Sequence, residues 1–150
     1  MSRQKRITNE INKFLISGKE DELGCWLINH DDSDMIFYMY LSEDKYVTIK
    51  INYPRDYPFK APKVFINNHD YISLLRIEEK WKLDFLGTDK CLCCSSMTCA
   101  NNWCAARTTF QLLDEIKNNL TFKIRLNEIA HVRKIRDKYL IDDIPLENFL

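Results

Sequence analysis

Apolar positions in the first sixteen residues recur at helical spacing. Ile7, Ile11, Phe14 and Leu15 fall at i, i+4, i+7 and i+8, with Arg3, Lys5, Arg6, Asn9, Glu10 and Lys13 off that stripe. The spacing predicts an amphipathic helix over 3–16, stopped by Gly18. From Cys25 to Phe65 the chain becomes rich in β-branched and aromatic residues with polar breaks. Four strands are predicted there: Cys25–Asn29, Met35–Leu41, Tyr46–Asn52 and Lys63–Ile66. Asp31-Asp32-Ser33-Asp34 and Ser42-Glu43-Asp44 supply the turns of a short antiparallel meander. Residues 67–90 carry no dominant period. Thr108 and Gln111 have the spacing of a capping box, and Phe110, Leu113, Ile116 and Leu120 continue it as a helix over 108–119. A second helix is predicted over about 122–140, through Phe122, Leu126, Ile129, Val132, Ile135 and Tyr139. Strands first and helices last predict an α+β class, with the meander packed against helices.

At 150 residues the chain is expected to form one domain over 1–150, with a core of about 3–119 and a C-terminal helix and tail over 121–150. Twenty-two basic residues balance twenty-two acidic ones, which argues against a nucleic-acid-coating or polybasic membrane protein. No apolar run approaches the ~20 residues of a spanning helix, and the polar start leads into no signal-peptide core. A reducing compartment, cytoplasmic or nuclear, is the expectation. Composition therefore directs attention to the cysteines: five of the six fall between 91 and 104.

Three of the four prolines, Pro54, Pro58 and Pro62, lie within nine residues and stiffen an extended connector. The run Tyr53-Pro54-Arg55-Asp56-Tyr57-Pro58-Phe59-Lys60-Ala61-Pro62-Lys63-Val64 resembles the proline-rich connector of ubiquitin-conjugating (E2) enzymes. Lys90-Cys91-Leu92 resembles that family's active-site Ile-Cys-Leu, and Asn102-Trp103-Cys104-Ala105-Ala106 its following Trp-Ser-Pro-Ala. The order of elements agrees over about residues 3–119. Two departures concern the chemistry. No His-Pro-Asn precedes the cysteine, and the spacing from Cys91 to Trp103 is longer than the family's, as if the loop carried an insertion.

The resemblance implies a UBC-like fold and a carrier of ubiquitin, or a ubiquitin-like modifier, as a cysteine thioester for transfer to lysine. It implies Cys91 as nucleophile, with Cys93 and Cys94 open as alternatives because the longer loop shifts the register. A thiolate accepts an acyl group and leaves it reactive toward an amine. Asn101 and Asn102 are the nearby amides that could support the oxyanion in place of the missing asparagine. Implied partners are the modifier, an activating enzyme (E1) at Arg3, Lys5 and Arg6, and a ligase (E3) at Phe59, Ala105 and Ala106. The second reading is a UBC-like fold without chemistry, serving as a ubiquitin-binding or scaffold module. Metal is the other use of such a cluster, through Cys91, Cys94, Cys99 and Cys104. Cys93 and Cys94 are adjacent, and adjacent cysteines rarely both bind one ion, so neither metal nor other cofactor is expected. A Cys94–Cys99 disulfide is the third use, and a reducing compartment disfavours it.

Overall fold

The structure is a computed structural model and describes residues 3–42, 44–78, 80–81 and 92–139. Cys91, Glu43 of the second turn and the 140–150 tail lie outside the described residues. The first helix, α1 (Arg3–Ile16), buries Ile7, Ile11 and Phe14 as the stripe requires. Two positions differ from expectation. Leu15 is 48% exposed, whereas Glu10, three residues after Ile7 and four before Phe14, is on the buried face. A short helix that the periodicity did not reveal, α2 (Lys19–Leu23), follows Gly18. Gly24 ends it at φ 67, and a Cβ there would lie 3.3 Å from Lys117 Nζ, so glycine suits both the dihedral and the space.

The sheet comprises β1 (Cys25–His30), β2 (Asp34–Ser42), β3 (Lys45–Asn52), β4 (Lys63–Ile66) and β5 (His69–Asp70), antiparallel in sequence order. It has one strand more than expected. Asn67 and Asn68 both take positive φ between the paired Ile66 and His69, a tight hairpin that asparagine tolerates better than most residues. The first turn is held by Asp31, whose Oδ1 accepts from the Ser33 and Asp34 amides, each at 2.8 Å. Those two amides hold its carboxyl below the usual carboxylate range. Alternation along β2 turns Met35, Phe37, Met39 and Leu41 inward. Ile49 and Ile51 of β3 and Val64 and Ile66 of β4 join them in the core. Phe14 of α1 meets Phe37 edge-on at 5.6 Å.

A short helix, α3 (Tyr71–Leu75), is capped by Asp70, whose carboxylate accepts from Ser73 N at 3.1 Å. The last described element, α4, runs unbroken over Thr109–Tyr139, where two helices were expected. Its 31 residues contain no glycine or proline, so nothing in the backbone stops propagation between Leu120 and Phe122. The capping box forms: Gln111 N donates to Thr108 Oγ1 at 3.2 Å, and Thr108 N to Gln111 Oε1 at 3.0 Å. Leu112, Leu113, Ile116 and Leu120 bury the first three turns in the core shared with α1 and the sheet.

Glu10 joins α1, the proline connector and the start of α4. Its Oε2 accepts from Tyr57 Oη and Thr109 Oγ1, both at 2.7 Å, and its Oε1 from Arg6 Nε at 3.2 Å. The threonine proton is used on Glu10, so Tyr53 Oη, 2.7 Å from Thr109 Oγ1, donates to that oxygen. Arg6 also donates to Arg107 O at 2.9 Å. Burial pushes both phenols above their ordinary value, and both remain donors.

Two outcomes test this. Glu10→Ala leaves two hydroxyl donors and a half-buried guanidinium without their acceptor and should cost about 3 kcal/mol, read from urea midpoints at unchanged m. Thr121→Pro should break α4 between the buried Leu120 and Leu126 at a cost of about 3 kcal/mol or more, visible as lost helical circular dichroism.

Candidate functional site

The proline connector turns tightly after β3. Tyr57 N donates to Pro54 O at 3.0 Å and Phe59 N to Asp56 O at 2.7 Å, while the Tyr57–Pro58 peptide is cis. Tyr53 and Tyr57 are each 2% exposed and meet edge-on at 4.6 Å. Phe59, two residues after Tyr57, is 74% exposed. Pro58 O accepts the Trp103 indole proton at 2.8 Å. That bond fastens the cysteine-rich stretch to the connector. Between them lies an open cleft of about 460 Å³ lined by Phe59, Pro62, Ile72, Thr98, Ala100 and Trp103.

The cysteine stretch is a 3-10 turn, Leu92–Ser95, followed by a chain of turns. Cys99 N donates to Ser96 O, and both Asn102 N and Trp103 N to Cys99 O. The Asn102 side-chain amide donates to Cys94 O at 2.8 Å and to Ser96 O at 3.0 Å. Ser96 is fully buried, and its hydroxyl donates to Glu115 Oε2 at 2.9 Å. Glu115 Oε1 accepts from Met97 N at 2.6 Å, and its Oε2 also accepts from Tyr71 Oη at 2.8 Å. One carboxylate from α4 thus holds the loop and α3 together.

The sulfurs differ sharply. Cys93 is disulfide-bonded, and its Sγ lies 3.9 Å from Cys94 Sγ. Cys94 and Cys104 are exposed thiols and Cys99 is half-buried. Neither member of the Cys94–Cys99 pair weighed from sequence is oxidised. Among the described residues no group of three or more His, Cys, Asp or Glu side chains could hold a metal ion. Cys25 is the opposite case. Burial first and Glu20 second, opposed by Lys117, push its thiol up to about 12.

The sequence-predicted residues separate into distinct environments. Arg6 turns inward to Glu10, and Arg3 reaches Tyr53 O at 3.4 Å, so both brace the connector, while Lys5 is exposed. Phe59 lines the cleft by Trp103, whereas Ala106 lines a second groove, with Arg6, Lys13, Phe14 and Phe110, between α1 and the start of α4. Ala105 is half-buried and Asn101 exposed. Asn102 uses its amide to clamp the loop backbone. His30, His69 and His131 are all exposed. Sequence reasoning missed Glu10 and Glu115. Glu10 left a trace, being a carboxylate inside an apolar stripe; Glu115 left none, since a glutamate on a long helix ordinarily faces water.

Cys25→Ala should isolate a pH effect. The unfolded thiol ionises near 9.0 and the folded one near about 12, so above pH 9 the unfolded chain holds fewer protons. The stability tied to this thiol is present below that pH and is lost as pH rises toward 12. Denaturation midpoints between about pH 8 and pH 11 should fall more steeply in the wild type than in Cys25→Ala. In the folded wild type, iodoacetamide should modify Cys94 and Cys104 and spare Cys25.

No protein-family model matches the sequence, and no curated protein matches it. Solved structures do match. Among them the ubiquitin-conjugating enzyme E2 UbcA1 of Agrocybe aegerita superposes with a TM-score of 0.56 at 13% identity, covering 79% of this chain and 82% of that one. The architecture of this chain, an antiparallel meander between an N-terminal helix and a long C-terminal helix, is that of the UBC fold.

Proposed function

We propose that this chain is an E2-like carrier that holds ubiquitin, or a ubiquitin-like modifier, as a cysteine thioester for transfer to lysine. The observation that carries this reading is the Trp103–Pro58 hydrogen bond, which fastens a loop presenting cysteines at the surface to the proline connector of a UBC fold. The assigned nucleophile is Cys91, which lies outside the described residues, with Cys94 the exposed described alternative. Cys93, the other alternative, is disulfide-bonded, so charging through this stretch requires the reduced protein.

Loading is transthiolation. The thiolate attacks the modifier's C-terminal carbonyl carbon, a new C–S bond forms, and the activating enzyme's thiolate leaves. Transfer follows when a lysine amine attacks the same carbon, an oxyanion forms and collapses, and the carrier thiolate is expelled. The second step needs donors at the oxyanion. With Asn102 committed to two carbonyls and no His-Pro-Asn in the chain, that support is poor. The same observation favours the second reading, a UBC-fold module that binds the modifier without transferring it. Partner assignments follow the enzyme reading: an activating enzyme at the N-terminal end of α1, where Lys5 is exposed and Arg3 and Arg6 are half-buried, and a ligase at Phe59, Ala105 and Ala106.

Mixed with an activating enzyme, ATP and ubiquitin, the chain should form a reductant-sensitive adduct, abolished by Cys91→Ala and retained by Cys94→Ala. Discharge to free lysine should be about 10²–10³-fold slower than for a carrier with an intact oxyanion donor, read by single-turnover chase. Charging that persists in Cys91→Ala moves the nucleophile to a neighbouring cysteine. A wild type that never charges yet binds ubiquitin replaces the carrier reading with the module reading.

A further inference from the structure

Few apolar side chains hold the cysteine loop to the body of the protein. Leu92, Cys93, Met97 and Trp103 are only partly buried against the core. Among the described residues of the loop, the one that is fully buried is Ser96, a polar side chain. What it meets is Glu115, on the α4 face that also carries Asn119 one turn later. The two carboxylate oxygens receive three donors from two elements: Met97 N and Ser96 Oγ from the loop, and Tyr71 Oη from α3. Asn119 Nδ2 donates to the same Tyr71 oxygen at 2.9 Å, completing its hydrogen bonding. Burial and the neighbouring carboxylate keep the Tyr71 phenol protonated, as the donor role requires.

Hydrogen bonds to a carboxylate are shorter and stronger than neutral ones, and the 2.6 Å Met97 contact fits that class. From the other side Asn102 grips Cys94 O and Ser96 O. The backbone over 94–97 is therefore held at both ends of its turn, directly after the Cys93–Cys94 pair.

We propose that Glu115 is a positioning residue for the cysteine chemistry of this loop, fixing through Ser96 and Met97 the backbone that presents the thiols. This rests on the reading of the loop as a thioester site. Glu115 touches no reacting atom. Its effect is geometric: displacing a reactive group by ~1 Å from productive alignment can cost ~10²-fold in rate.

The test compares wild type with Glu115→Ala, the isosteric Glu115→Gln, and Asp114→Ala as an exposed neighbour on the same helix. Three readouts are taken on each folded protein: hydrogen exchange at the Met97 amide, iodoacetamide modification of Cys94 relative to Cys104, and charging by an activating enzyme with ubiquitin. Glu115→Ala should speed Met97 exchange by at least ~10-fold and shift the Cys94 rate by several-fold, leaving Cys104 within about twofold. Charging should lose at least ~10-fold in kcat with KM for the activating enzyme within about twofold, because docking lies elsewhere. Glu115→Gln, which keeps an acceptor oxygen, should recover part of each change, and Asp114→Ala should match wild type.

Unchanged Met97 exchange and Cys94 reactivity in both Glu115 variants overturn the proposal, as does a charging defect that appears wholly in KM. If Glu115→Ala does not fold, Glu115→Gln decides by the same readouts. Should the wild type never charge, the carrier reading fails by itself, and exchange and alkylation still decide whether Glu115 sets the loop.

Discussion

The arrangement of the whole site depends on one buried carboxylate. Glu10 sits on α1 where an apolar side chain would ordinarily pack, 7% exposed, and accepts from Tyr57, Thr109 and Arg6. Those donors come from the connector, the first turn of α4 and α1 itself, three segments far apart in sequence. A buried charge without such partners would be strongly unfavourable, so the donors must arrive together with the fold. Hydrophobic burial brings these elements together; the carboxylate fixes how they meet.

Glu115 repeats the device on the opposite side of the site, in a half-buried setting. There it gathers the cysteine loop and α3 onto α4 through donors that each have one acceptable direction. A loop of small and polar residues cannot be oriented by packing alone, because Ser, Thr, Asn and Cys offer little apolar area. Directional bonds supply what area cannot. The connector lies between the two carboxylates, joined to Glu10 through Tyr57 and to the cysteine loop through the Trp103 indole.

This frame separates two kinds of cysteine. Cys25 begins β1 beneath the helices, with no exposed surface, and behaves as a small core residue whose thiol resists ionisation. Cys94 and Cys104 stand in water on a braced loop. Their setting is compatible with acyl chemistry. Asn102, the amide closest to hand for supporting that chemistry, is occupied by loop carbonyls. On the proposed carrier reading, the residue that shapes the loop is thereby withdrawn from any oxyanion.

The sequence by itself determined the local elements. Strand alternation, the Thr108–Gln111 box, the Gly18 stop and the proline connector all depend on neighbours within a few residues, so they are legible without the fold. The UBC-like class followed from the connector and from the order of elements. Tertiary structure decided the rest. Whether α4 stops after Leu120 is not written in its residues beyond the absence of a breaker, and the paired Asn67-Asn68 turn acquires a fifth strand only because Phe65 and Ile66 are there to pair with. That Glu10 and Glu115 are hubs depends on donors up to 99 positions away, that Arg6 faces inward on an acceptor 101 positions away, and that Asn102 is a clamp on carbonyls six and eight positions back. A polar side chain has the same appearance in a sequence whether its partner is water or a distant hydroxyl, and only the packed chain chooses between them.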